Sequence, residues 1–237
     1  MALGFLRRER SREGGGLPGL LEAWKLSRDL HGFRPSASPE TVAAAETAFG
    51  RRFPAGLRSL YLVSNGFRLF DGNLEIHPLV GIDGRLGLLM PNGRSLTQQL
   101  REWEWSMPDE LVVFAGDGRD SVFGLWLPDA RREERPTPVI EAKLDALGVV
   151  GTDLLPFLRY QTAFLLLAFK AKAAPQALAA LGAPASFAKR EADDRTLAAL
   201  QKWADPNLPG LQLGSPVRVA VTPVGVEWLR RTYGADS

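Results

Sequence analysis

The order of segments along this chain predicts an α+β fold: an antiparallel or mixed central sheet flanked by N- and C-terminal helices, with a mainly helical C-terminal extension. Three observations carry the prediction. Apolar residues recur at helical spacing through the first third of the chain, short apolar runs bounded by Gly, Asp and Pro fill the middle, and helical spacing resumes from Thr152. Helices, then strands, then helices is the order of an α+β domain and not of alternating βαβ units.

Residues 1–16, MALGFLRRERSREGGG, combine arginine, glutamate and a triple glycine. Such a composition buries no apolar surface, so this stretch reads as a mobile leader. Its charges also stand where a signal peptide needs its apolar region. From Leu17, apolar residues at 17, 20, 21 and 24 mark a first helical face. A second helix starts at Ser38-Pro39-Glu40. Serine caps, proline suits the first helical position, and the positive end of the helix dipole favours the glutamate, while Val42, Ala45 and Phe49 share one side. Pro54 opens a third helix with Leu57, Leu60 and Tyr61 on its apolar face. Asn65-Gly66 marks its stop, with Gly66 expected as a left-handed cap.

LFDGNLEIHPLV then reads as a strand region around an Asp71-Gly72 turn. Ser95-Leu96-Thr97-Gln98 fits the capping box of a helix running to about Trp105. LVVFA, SVFGLWL and PVIEA are three further strands. Along SVFGLWL, alternation places Val122 and Trp126 on one face and Phe123, Leu125 and Leu127 on the other. Both faces are apolar, which predicts a central strand covered on each side. TDLLPFLRYQTAFLLLAFKAK resumes helix with Pro156 in its first turn. After Lys172 come two Ala- and Leu-rich helices, then a short strand and a last helix with Thr222 as cap and Pro223 at its first position. This tail either docks on the core or forms a small subdomain.

The totals exclude several chemistries. With 237 residues the chain is long enough to bury a core without staples, and with no cysteine it has no thiol chemistry, no cysteine-ligated metal and no disulfide. This fits a reducing cytoplasm. The formal charge is +2, from 29 basic and 27 acidic residues, so the chain is no polycation. Its tight basic cluster is Arg7, Arg8, Arg10 and Arg12, a weak signal for a nucleic-acid interface, so nucleic acid is not an expected partner. The longest apolar run, residues 163–169, is far short of the roughly 20 residues of a spanning helix.

The stretch VVFAGDGRDSVFGLW raises the question of a ligand loop. A phosphate loop needs a helix after its glycines, and here a strand follows; Ser121 stands where a third glycine would complete the dinucleotide fingerprint. A calcium loop needs more oxygen ligands and a distal glutamate. GDGRD is therefore expected to be a five-residue hairpin connection, with neither metal nor nucleotide bound. His31 and His77 are unrelated in position, and no nucleophile elbow or HExxH occurs, so neither a catalytic residue nor a metal site is assigned and no cofactor is expected. The aromatic residues Trp103, Trp105, Trp126, Phe114 and Phe123 read as core and not as a base-stacking surface. TPVGVEWLRR also has the outline of the last strand and helix of a winged-helix module.

In AETAFGRRFP, Glu46, Gly50 and Pro54, in YLVSNG, Asn65 and Gly66, and in the strand-turn-strand around GDGRD, Gly116 and Asp117 follow one another in an order that resembles the SUKH superfamily, the group of yeast cell-wall-synthesis regulators and bacterial immunity proteins. Phe53 stands where that pattern has leucine. The resemblance implies a SUKH-like domain over residues 17–170, with 171–237 as an extension, and treats these seven residues as fold-setting. It implies a non-enzymatic, cytoplasmic protein-binding module, an immunity protein that neutralises a bacterial toxin domain by occlusion. The alternative is a regulatory scaffold or DNA-linked adaptor working through the C-terminal extension. A toxin acting on nucleic acid presents a basic cleft, so the expected partner-binding residues are acidic: Glu75, Glu102, Glu104, Asp109 and Glu110, with Asp71 and Asp83 nearby.

Overall fold

The structure, a computed structural model, describes residues 16–79, 108, 110–119, 121–127, 136–143, 146–208, 218–220 and 223–233. Helices α1 (Leu17–Leu26), α2 (Pro39–Phe49) and α3 (Ala55–Val63) come first, with the short strand β1 (His31–Phe33) between α1 and α2. Then follow β2 (Phe67–Leu69), β3 (Leu74–Ile76), β4 (Leu111–Gly116), β5 (Val122–Trp126), β6 (Val139–Ala142) and β7 (Ala146–Gly151). The helices α4 (Leu154–Ala168), α5 (Ala174–Ala180) and α6 (Asp194–Ala204), strand β8 (Arg218–Ala220) and helix α7 (Pro223–Tyr233) complete the chain. The α+β class is as the sequence predicts. The helix expected at Ser95–Trp105, the leader up to residue 15 and the Thr222 cap lie outside the described residues.

The eight strands form one sheet in sequential order, and every neighbouring pair is antiparallel. The expected split of β5 is realised. Phe123, Leu125 and Leu127 enter the larger apolar layer beneath α1 to α6, while Trp126 enters a second layer with Leu111, Val113, Ile140, Leu147 and Val149, closed by Leu208 and by Val226 and Leu229 of α7. On that second face a register row runs Gly32, Arg68, Glu75, Gly116, Val122, Ala142, Leu147. It is polar or glycine over β1 to β4 and apolar from β5 onward, so the second apolar layer covers only part of the sheet.

Residues 171–237 therefore contribute to both layers. Helix α5 packs on α1, α6 on α4, and β8 extends the sheet beside β7. The winged-helix outline is corrected by this placement: β8 is an edge strand of the common sheet, and Val226 and Leu229 of α7 are buried against its second face. A buried hydrogen bond from Trp24 Nε1 to Thr162 Oγ1, 3.0 Å, ties α1 to α4.

Local sequence explains the helix ends. Ser38 Oγ accepts the Thr41 amide at 3.2 Å, with Pro39 in the first helical turn. Asp153 and Asp193 cap α4 and α6 by accepting the amides of Leu154 and Thr196. Helix α2 stops at Gly50, left-handed at φ 66°, where the amides of Gly50 and Arg51 return to the carbonyls of Thr47 and Glu46. Helix α4 stops in the same way, the amides of Lys170 and Ala171 returning to Leu167 and Leu166, but here the left-handed residue is Lys170, φ 48°.

The two stops make opposite predictions. A Cβ on Gly50 would meet nothing within 4 Å, so Gly50→Ala tests backbone strain alone and is expected to cost about 1 kcal/mol in denaturant unfolding. Lys170→Gly removes that strain and is expected to gain about 0.5–1 kcal/mol, because the added freedom of the unfolded chain offsets part of the relief. Equal midpoints for Lys170→Gly and wild type would show that Lys170 does not hold the left-handed cap.

Candidate binding surface

The residues that carry the resemblance are brought into three joints of the fold. At the first, Glu46 is nearly buried on α2. Its Oε1 accepts the Phe53 amide at 2.8 Å and lies 3.6 Å from Arg58 Nε, so one carboxylate fixes the path from the Gly50 stop to Pro54, the N-cap of α3. At the second, Ser64 Oγ, fully buried, donates to the Arg34 or Gly66 carbonyl and accepts the Arg34 amide, while Asn65 Oδ1 accepts the Leu79 amide at 2.8 Å. Gly66 has φ 94°, as expected, but it is not the cap of α3. The helix ends at Val63, and Ser64, held to residue 34, is extended at φ −154°, so Gly66 lies beyond the stop and turns the chain into β2. A Cβ there would come within 2.9 Å of the Ile76 carbonyl oxygen and 3.0 Å of Pro78.

The third joint is the connection between β4 and β5, a hairpin turn as expected but displaced by one residue from GDGRD, because Gly116 still belongs to β4 and β5 begins at Val122. Asp117 Oδ1 accepts the amides of Arg119 and Ser121 at 2.9 and 3.1 Å. This carboxylate closes its own turn. Ser121 Oγ donates to Glu141 Oε1 at 3.1 Å, and Lys143 Nζ stands 3.6 Å from the same oxygen. The loop also touches the preceding hairpin: a Cβ on Gly118 would lie 2.6 Å from the Gly72 carbonyl oxygen.

That preceding turn, between β2 and β3, is unusual. Phe70, Asp71 and Gly72 are successively left-handed, with φ 50°, 55° and 93°. Asn73 Nδ2 donates to the Phe70 carbonyl at 2.8 Å, and the Phe70 amide donates to His31 Nδ1 at 3.2 Å. His31 Nε2 lies 2.9 Å from Ser27 Oγ, whose own proton goes to the Ala23 carbonyl. These partners require a neutral His31 with its proton on Nε2. Burial pulls the imidazole pKa down from 6.5 to about 4, against the opposing pull of the Leu30 backbone, Asp29 and Asp71. In sequence His31 stands only before a turn; the Phe70 amide that it accepts is 39 residues away, beyond the reach of local pattern.

Two grooves flank the paired turns. One, of about 500 Å³, opens on the second face of the sheet and is lined by Phe33, Arg34, Arg68, Asp71 and Glu75 among others. Another, of about 590 Å³, lies on the helix side between the turns and the C-terminal half of α4. Asp71 and Glu75 of the expected acidic group thus share one groove. Glu110 does not join them. In register it stands six positions from the partner of Glu75, roughly 20 Å along the sheet. Arg230 Nε approaches its Oε1 at 2.6 Å. Burial alone would raise the Glu110 pKa, but this guanidinium and the residue's own backbone amide hold it below the ordinary range. Glu102, Glu104, Asp109 and Asp83 lie outside the described residues, as do Trp103 and Trp105.

Comparison with known families finds that residues 36–147 match the SMI1 / KNR4 family (SUKH-1). That interval contains all seven residues of the three joints. No curated protein matches the chain.

Two measurements test this geometry. Gly66→Val is expected to lower stability by about 1–3 kcal/mol, through positive φ and collision with the Ile76–Pro78 backbone, and an unshifted denaturant midpoint would contradict it. For His31, the folded pKa lies below the unfolded one, so the unfolded chain takes up the proton first as pH falls. Its contribution is complete above pH 6.5 and is lost on descent toward pH 4. The stability difference between wild type and His31→Gln should therefore shrink across that window; a constant difference would show that His31 is not held neutral.

Proposed function

The chain belongs to the SUKH superfamily through residues 36–147, and on that premise we propose that it is a non-enzymatic protein-binding module that neutralises a bacterial toxin domain by occluding its active site. The observation that carries this reading is the use made of the motif side chains. Glu46, Ser64, Asn65 and Asp117 all spend their oxygens on backbone amides of neighbouring turns. They build a rigid display of loops, the arrangement a binding surface needs. Among the described residues, no three His, Asp or Glu side chains are gathered to hold a metal, and no helix is long and apolar enough to cross a membrane. The proposed module is residues 17–170, acting in the cytoplasm.

Steering of a basic toxin is assigned to Glu75 with Glu102, Glu104 and Asp109, Glu110 being engaged by Arg230. The second reading, a regulatory scaffold or DNA-linked adaptor working through residues 171–237, has less support, because α7 and β8 are engaged with the sheet.

The test is co-expression with a toxin domain encoded beside this gene. Growth should be rescued, and the purified proteins should associate more slowly at high salt and with Glu75→Lys. Absence of rescue together with absence of a complex would overturn the immunity reading; rescue with a salt-independent rate would remove only the acidic steering.

A further inference from the structure

The helix-side groove is built differently from an ordinary surface depression. Its floor is apolar: Phe123 and Leu165 are buried, Phe164 is half-buried, and Phe169 leaves 38% of its surface exposed at the end of α4. Phe169 stands 5.9 Å from Phe70, the first of the left-handed turn residues, and is followed by the left-handed Lys170. Two of the three non-glycine residues with positive φ among those described, Phe70 and Lys170, thus adjoin its lining through Phe169, while the third, Asp71, lines the groove on the other face. Backbone held in so costly a region is often found around binding sites.

The rim decides what would enter. Its carboxylates are already engaged: Asp117 accepts two amides of its own turn, and Glu141 meets Ser121 and Lys143. The guanidinium of Arg119 is exposed at this rim and has neither an ion pair nor a hydrogen bond among the described residues, and the half-buried Gln161 amide is likewise without a partner there. An aromatic floor beneath one uncommitted cation fits an apolar side chain with a carboxylate beside it, the apolar part displacing water and the carboxylate taking a charge-assisted bond from the guanidinium.

We propose that this groove is a docking site for an extended peptide segment that carries an aromatic residue next to an acidic one. The site lies on the opposite face of the sheet from Glu75, so it is a second contact, separate from the steering of a basic surface. It rests on the reading of the chain as a protein-binding module, but not on the partner being a toxin.

The experiment uses the full chain, labelled with nitrogen-15, titrated with acetyl-Leu-Phe-Asp-Glu-amide and, in parallel, acetyl-Leu-Phe-Lys-Lys-amide. The acidic peptide should shift the resonances of residues 117–119, 161–165 and 168–170 saturably, and the basic one should bind about tenfold more weakly. Arg119→Glu should weaken the acidic peptide by about the same factor, and Phe169→Ala should weaken both peptides. Arg119 is exposed at the loop, so an unchanged melting temperature will show that its variant is folded, and Gln161→Ala serves as a second folded variant with a smaller loss. Equal binding of the two peptides, shifts confined to other residues, or no saturable shift would overturn the proposal. Co-expression rescue with a silent titration would condemn the groove alone, while a positive titration without rescue would condemn the toxin reading and leave the groove standing.

Discussion

Strand β5 has no polar face. It sends Trp126 into one apolar layer and Phe123, Leu125 and Leu127 into the other, and its backbone is satisfied by β4 on one side and β6 on the other. A strand of this kind needs cover above and below, and much of the architecture supplies it. Helix α4 provides one lid, with Phe157 standing 4.9 Å from Phe123 and 6.2 Å from Phe114. Leu208 and α7 provide the other. The segment matching the family, residues 36–147, holds β2 to β6 but neither lid. Its apolar strands depend on helices contributed by the rest of the chain.

The same constraint divides the sheet into unequal parts. The second layer reaches Leu111 and Val113 of β4 but not its end, where the cross-strand row changes from Glu75 and Gly116 to Val122 and Ala142. The helix layer continues over β2 and β3 through Phe67, Leu69, Leu74 and Ile76, while the opposite face there carries Arg68 and Glu75. The loop joints sit at the boundary, which is why the two hairpin turns have a groove on either side. Rigid framework and displayed turns are thus products of one burial pattern.

Elements with a local signature were legible. Ser38 and Pro39 announce α2, Pro156 falls in the first turn of α4, and period-two alternation assigns Val122, Phe123 and Trp126 to their layers. Strands β1 and β7 were not. β1 is three residues long with Gly32 at its centre, and β7, ALGVVG, carries two glycines and no alternation, so pairing to a neighbour creates them where propensity does not. The Gly66 cap was half right because positive φ is a property of the residue, whereas where α3 ends is decided by Ser64 reaching residue 34. The acidic group illustrates the same limit. Sequence shows carboxylates close in number, whereas the fold sets Glu110 far along the sheet from Glu75 and beside Arg230.

A sheet whose strands pair in the order they are written has a bearing on synthesis. Each hairpin from β2 to β7 has its partner as soon as the next strand leaves the ribosome, so most of the ladder needs only contacts close in sequence, the kind that close quickly. Helix α1 is the exception. Its Trp24 waits for Thr162, and its other main neighbour, α5, begins at Ala174. The first of the described helices is thus among the last to be housed, and until then it holds Leu17, Leu20 and Trp24 in the open. Of the described helices, α1 is the one that whatever shields the nascent chain from sticking to its neighbours has to cover longest.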